Sequence, residues 1–131
     1  MVPQVHGSSE RFEGTVGFMN RDQHVTIGLL FFALYVILLN HLKPLQLDAI
    51  IYGGIAAAIF SVVPDMLEPP TSGRHRRFAH SKRVLRNSFL AFLALTVIVF
   101  LFPYAIIIGG ALLGYVMHLA ADSTTPAGLP D

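Results

Sequence analysis

The chain has no cysteine in its 131 residues, which excludes disulfides and thiolate ligands, so any metal ion must be held by His and carboxylate. Tryptophan is absent as well, leaving Tyr35, Tyr52, Tyr104 and Tyr115 as the aromatic residues suited to a membrane interface. Charged residues make up only 13%, against about 25% in an ordinary soluble domain. A net charge of +1 is too small to attract nucleic acid in bulk, so no nucleic-acid partner is expected. A polar stripe is also missing from the apolar runs. Between Val25 and Leu39 only Thr26 and Tyr35 carry polar atoms, and from Phe89 to Met117 only Thr96, Tyr104 and Tyr115 do. A water-facing helix needs such a stripe, which argues against four core helices of a soluble all-α protein.

Apolar residues are abundant, at 53% of the chain with a mean hydropathy of +0.60. They gather into four runs: Val25 to Leu42, Asp48 to Pro64, Arg86 to Phe102, and Tyr104 to Ala121. Each is roughly 17–18 residues, the short end of what a membrane-spanning helix needs. Lys43-Pro44 and Pro103 interrupt the runs with short links, so each pair reads as an antiparallel helical hairpin. The expected fold is therefore all-α, a four-helix membrane bundle of two hairpins forming one domain over residues 19–131. Residues 1–18 are polar and read as a disordered extension, with Met19 an alternative start. Gly53 with Ala57, Gly54 with Ala58, and Gly110 with Gly114 are each four apart, a spacing that lets helices approach closely in lipid. The central link and its flank carry Arg74, Arg76, Arg77, Lys82, Arg83 and Arg86, and Arg11 and Arg21 precede the first run, whereas the opposite tips offer Lys43. The positive-inside rule then places both termini, the basic link and the candidate site on the cytoplasmic side of a membrane crossed several times.

The acids and histidines fall at the ends of the runs. His24 opens the first, Asp65 closes the second, His80 opens the third, and His118 with Asp122 closes the fourth. With four spans all five arrive at one face. His118 and Asp122, at i and i+4, share a helix face and can share an ion. Asp65 sits near a helix C-terminus, where the dipole disfavours a carboxylate and a cation would compensate. A helix starting near His80 would offer N-terminal amides to an anion such as phosphate, with Arg76 and Arg77 adding charge. Glu68 lies three residues beyond Asp65 and is a candidate ligand or general base. His41 lies at the opposite face and His6 in the polar N-terminal segment, so neither belongs to the cluster. For each candidate there is a simpler role: an interfacial His, a turn Asp, a helix-capping Asp, a topology-setting basic loop.

Val63-Pro64-Asp65, His75-Arg76-Arg77-Phe78-Ala79-His80-Ser81 and the segment from Gly114 through His118, Asp122 and Thr125 to Gly128 resemble a known family. They look like the YdjM-like inner-membrane metal-dependent hydrolases, a family distantly similar to zinc-dependent phospholipase C and the single-strand-specific zinc nucleases. The resemblance covers His24 to Gly128 and marks His24, Asp65, His75, His80, His118 and Asp122. Where the family pattern has a second Asp, this chain has Leu67 with Glu68 beside it. Where Gly follows His-Arg in the pattern, Arg77 stands here.

The resulting expectation is a divalent metal held by His24, Asp65, His80, His118 and Asp122. Zinc comes first and manganese fits the same ligands, with one ion or two, since five or six donors exceed one tetrahedral zinc. The metal would lower the pKa of bound water, Glu68 or His75 would take the proton, and Arg76 or Arg77 would hold a phosphoryl group. Membrane lipid is the expected environment, and a phospholipid or other phosphoester the expected substrate, a lipid-linked one suiting a site at the membrane face. The alternatives are a non-catalytic protein whose metal or ion pairs clamp the helices, and a small transporter. Transport sites usually lie at mid-membrane rather than at helix ends.

Overall fold

The computed structural model describes residues 19–68, 78–126 and 128–131. It is all-α: α1 (Arg21–Leu42), α2 (Leu47–Phe60), α3 (Val63–Leu67), α4 (Lys82–Leu101) and α5 (Ile106–Ser123), with a 3₁₀ turn at Pro103–Ala105 leading into α5. The described residues contain no strand. The proposed extension over residues 1–18 lies outside the described residues.

Capping chemistry sets the starts of α1 and α4, and hydrophobicity alone misses them. Asn20 and Gln23 form a reciprocal capping box, with both hydrogen bonds at 2.9 Å. That box starts α1 at Arg21, four residues ahead of the apolar run, and so brings His24 inside the helix. At α4 the Ser81 hydroxyl accepts from the Val84 amide, and the Lys82 amide donates to the Pro130 carbonyl at 2.8 Å. Two amides of this N-terminus therefore already have partners inside the chain, so the expected open anion site there is partly filled. At the C-terminal end, the Gly128 amide reaches back to the Thr125 carbonyl in a turn at 2.9 Å, and Gly128 itself takes a left-handed conformation (φ 60°) suited to glycine.

The second run forms a shorter helix than the other three. α2 has 14 residues, about 21 Å at ~1.5 Å per residue, against a hydrocarbon core of about 30 Å. Its interruption has a local cause. Pro64 cannot donate a helical amide and disfavours helical backbone before it, while the Ser61 hydroxyl turns back onto the Ala57 carbonyl at 2.7 Å. The chain re-enters helix as the short α3, redirecting Asp65. The other three runs are long and apolar enough to cross a membrane: Arg21–Leu42, Lys82–Leu101 and Pro103–Ser123. Large apolar side chains stand exposed along α1 and α4, among them Leu30, Ile37, Leu38, Val97 and Leu101. Such a surface fits lipid and not water.

α5 is the central helix and packs against α1, α2, α3 and α4. Its most extensive partner is α2, and glycine is what allows the approach. A Cβ at Gly110 would collide with the Gly53 carbonyl, and one at Gly114 with the Ala57 carbonyl. The Gly53/Ala57 and Gly110/Gly114 faces therefore form one seam. Gly54 stands apart: a Cβ there would meet the Phe32 ring at an ordinary 3.5 Å. Gly54→Ala should accordingly change stability by no more than about 0.5 kcal/mol in thermal melts of the detergent-solubilised protein. A larger loss would show that Gly54 is also part of the seam.

Of the tyrosines assigned to an interfacial belt, Tyr52 and Tyr104 are half exposed, and Tyr104 bonds Asp48 at 2.7 Å. Tyr35 is buried instead, bridging α1 to α4 through Thr96 at 3.2 Å.

Candidate metal centre

The α3 turn, the residue before the Ser81 cap and the last two turns of α5 meet at one point. Asp65 comes from α3, His80 from irregular backbone just outside α4, and His118 and Asp122 from successive turns of α5. One donor atom from each of the four lies within 4.8 Å of every other. His80 Nε2 is 3.1 Å from His118 Nε2. It is 3.5 Å from Asp65 Oδ1 and 3.5 Å from Asp122 Oδ2. His118 Nε2 is 3.6 Å from Asp65 Oδ1 and 3.5 Å from Asp122 Oδ2. Metal–ligand bonds of about 2.0–2.1 Å in a tetrahedron give ligand–ligand edges of about 3.3 Å. The five separations scatter around that value.

The outer nitrogens of the two histidines define what the inner ones offer. His118 Nδ1 lies 2.7 Å from the Ser61 carbonyl, which only accepts, so Nδ1 carries the proton. His80 Nδ1 faces the Glu68 carboxylate at 3.1 Å and likewise donates. In the neutral rings both Nε2 atoms then present lone pairs to two carboxylates. Four acceptors converge in a buried space, and a cation or captured protons must balance them. Backing each ligand histidine with a hydrogen-bond acceptor is the usual support for a metal site.

The groups outside the spans show this tension. Burial pushes His80 down, but Asp65, Glu68 and Asp122 outweigh it and hold the ring above the usual histidine range. Burial raises Asp65, and the neighbouring His80, His118 and His24 more than reverse this, leaving it below the usual carboxylate range. Glu68 is also raised by burial, yet the Ala79 and Phe78 amides and the His80 ring bring it down to about 2.

His24 is drawn to the same place but stands beside the group of four. It is 1% exposed and stacks on His118 with centroids 4.0 Å apart. Its Nε2 lies 3.6 Å from the other oxygen of Asp122, Oδ1. Its Nδ1 is buried without a hydrogen-bond partner. Glu68 touches His80 and the amides of Phe78, Ala79 and His80. His75, Arg76 and Arg77, expected to handle protons and phosphate, lie outside the described residues.

Two further residues, Ser61 and the interfacial candidate Tyr115, take part in the site without being marked for it by the sequence. Ser61 contributes its carbonyl to His118, and the Tyr115 hydroxyl donates to the Ala79 carbonyl at 2.9 Å, tying the His80 segment to α5. A lone serine ending an apolar run was the available signal for the first. For Tyr115 the signal was its position one turn before His118.

Comparison with protein-family models, curated proteins and solved structures finds no match to this chain.

Proposed function

We propose that the protein is a membrane-bound metal-dependent hydrolase of the YdjM-like kind, acting on a phosphoester at the cytoplasmic face of an inner membrane. The observation that carries this reading is the convergence of four acceptor atoms within 4.8 Å of one another, in a chain with three helices able to cross a bilayer. Zinc fits the spacing and donor types best, and manganese accepts the same atoms. Asp65, His80, His118 and Asp122 would hold the ion. His24 and Asp122 Oδ1 border the position where a second would sit. A divalent ion here supplies Lewis acidity, which brings the pKa of water near neutrality. Asp65 is the most open of the four, its side chain 17% exposed, and so marks the edge by which water and substrate enter. Arg76 and Arg77 supply charge for a phosphoryl group, and a lipid-linked phosphoester suits a site at the ends of membrane helices.

One observation favours a second reading. Four protein donors are as many as a closed structural zinc site uses, and the ion would then clamp α3 and the His80 segment to α5. Zinc-loaded protein and its Asp65→Asn variant, assayed on an aryl phosphate, an aryl phosphodiester and a phospholipid, separate the two. Turnover in the wild type that disappears in a folded Asp65→Asn variant supports the hydrolase. No turnover on any of these, with a large fall in melting temperature on zinc removal, establishes the clamp.

Metal binding should depend on pH in a defined direction. His80 must lose its proton to offer Nε2, and its environment favours the protonated ring. Affinity should thus begin to fall above the ordinary histidine pKa of about 6.5 and decline by about tenfold per pH unit below it. Zinc titrations between neutral and mildly acidic pH check this; a flat profile would rule out His80 as a ligand.

A further inference from the structure

His80 differs from the other three donors in how it is held. Asp65, His118 and Asp122 sit on helices, whose backbones orient them, whereas His80 precedes the Ser81 cap on irregular backbone. Its ring and its segment are gripped by one carboxylate. Glu68 Oε1 accepts from the Phe78 and Ala79 amides at 2.6 and 2.9 Å. Oε2 accepts from the His80 amide at 3.3 Å and faces the His80 Nδ1 at 3.1 Å. Three successive amides curled around one anion form a nest, a recognised backbone anion site.

We propose that Glu68 is the positioning residue of the metal centre. It acts through His80, neither binding the ion nor taking a proton from water. This rests on the metal-site reading above. The carboxylate fixes the Nδ1–H tautomer of His80, so that Nε2 is the atom offered to the ion, and it makes that nitrogen a better donor. The same four contacts hold residues 78–80 against the end of α3, setting where the ring lies relative to Asp65. Tyr115 supports the segment from the α5 side through the Ala79 carbonyl. Both Glu68 oxygens face these donors, a poor arrangement for a general base, which needs an oxygen turned to the reacting water.

The test is Co²⁺ titration of the full chain in detergent against a competing chelator, comparing wild type with Glu68→Gln. The substitution keeps the shape of the side chain but places an amide donor among donors. The expected result is a 10–100-fold loss of affinity, with the visible d–d bands of the bound ion unchanged because its ligands are unchanged. In zinc-bound protein labelled with ¹⁵N-histidine, the His80 Nδ1–H should shift while that of His118, on the Ser61 carbonyl, stays in place. A general loosening of the fold would move both. Unchanged affinity overturns the proposal, and so does an altered d–d spectrum, which would make Glu68 a ligand. A wild type that binds no Co²⁺ removes the metal centre itself, an outcome distinct from a variant that behaves like wild type. If Glu68→Gln does not fold, Glu68→Asp, which keeps the charge at shorter reach, is measured in its place, with the same His80-specific shift expected.

Discussion

Replacing His118 and Asp122 together with alanine should abolish stoichiometric metal binding. The two residues supply half of the four converging donors from one helix face. Four-ligand zinc sites are worth about 10–16 kcal/mol, so removing two donors should cost on the order of 5 kcal/mol, about a thousandfold or more in affinity. Elemental analysis of purified wild type should give one or two equivalents of a transition metal, and the double variant essentially none. The wild-type protein without metal after incubation with zinc or manganese, while still well folded, would sink the hydrolase reading and leave a membrane scaffold. Metal retained at wild-type stoichiometry in the variant would show that the ion sits elsewhere. The change also removes the Ser61-backed imidazole and the carboxylate beside His24. Helical content therefore has to be followed alongside the metal.

Gly114→Ala, like Gly110→Ala along the same seam, should be among the most damaging single methyl groups that can be added to the protein. The new Cβ would meet the carbonyl oxygen, carbonyl carbon and Cα of Ala57, all of them backbone. No rotamer change can relieve the collision, so α2 and α5 must separate. Overpacking usually costs about 1–3 kcal/mol, and a backbone-on-backbone clash belongs at or above the top of that range. For a chain of this size that corresponds to a melting temperature lower by about 10 °C. Metal affinity should fall with it, because Ser61 and Asp65 follow α2 while His118 and Asp122 ride on α5. An unchanged melting temperature would mean that this seam does not hold the bundle together.

These two predictions draw on different kinds of information. The i,i+4 pair His118 and Asp122 could be read directly from the chain, because a helix puts such positions on one face whatever surrounds it. The all-α architecture and the fit to lipid were equally legible, since the missing polar stripe is a local property of each run. The clustering of Asp65 and His80 with that pair was visible only as an ordering, acid and histidine at run ends, and the close spacing came from the packed helices.

Other features lay beyond the hydrophobic pattern. The second run looks as apolar as the rest, and its division into α2 and α3 depends on Pro64 and on Ser61 turning its hydroxyl back to Ala57. His24 appeared equivalent to the other ligands, yet it stacks on His118 and faces the second oxygen of Asp122. Glu68 appeared as a base or ligand, and its contacts run instead to three amides and the His80 ring. Helical class, lipid-compatible spans and the N/O character of any metal site were set by the sequence alone, because periodicity, hydrophobicity and the lack of cysteine act locally. Which donors converge, which histidine nitrogen faces inward and which carboxylate supports the site were decided by tertiary structure, because each depends on contacts between residues distant along the chain that exist only once α2 has docked on α5.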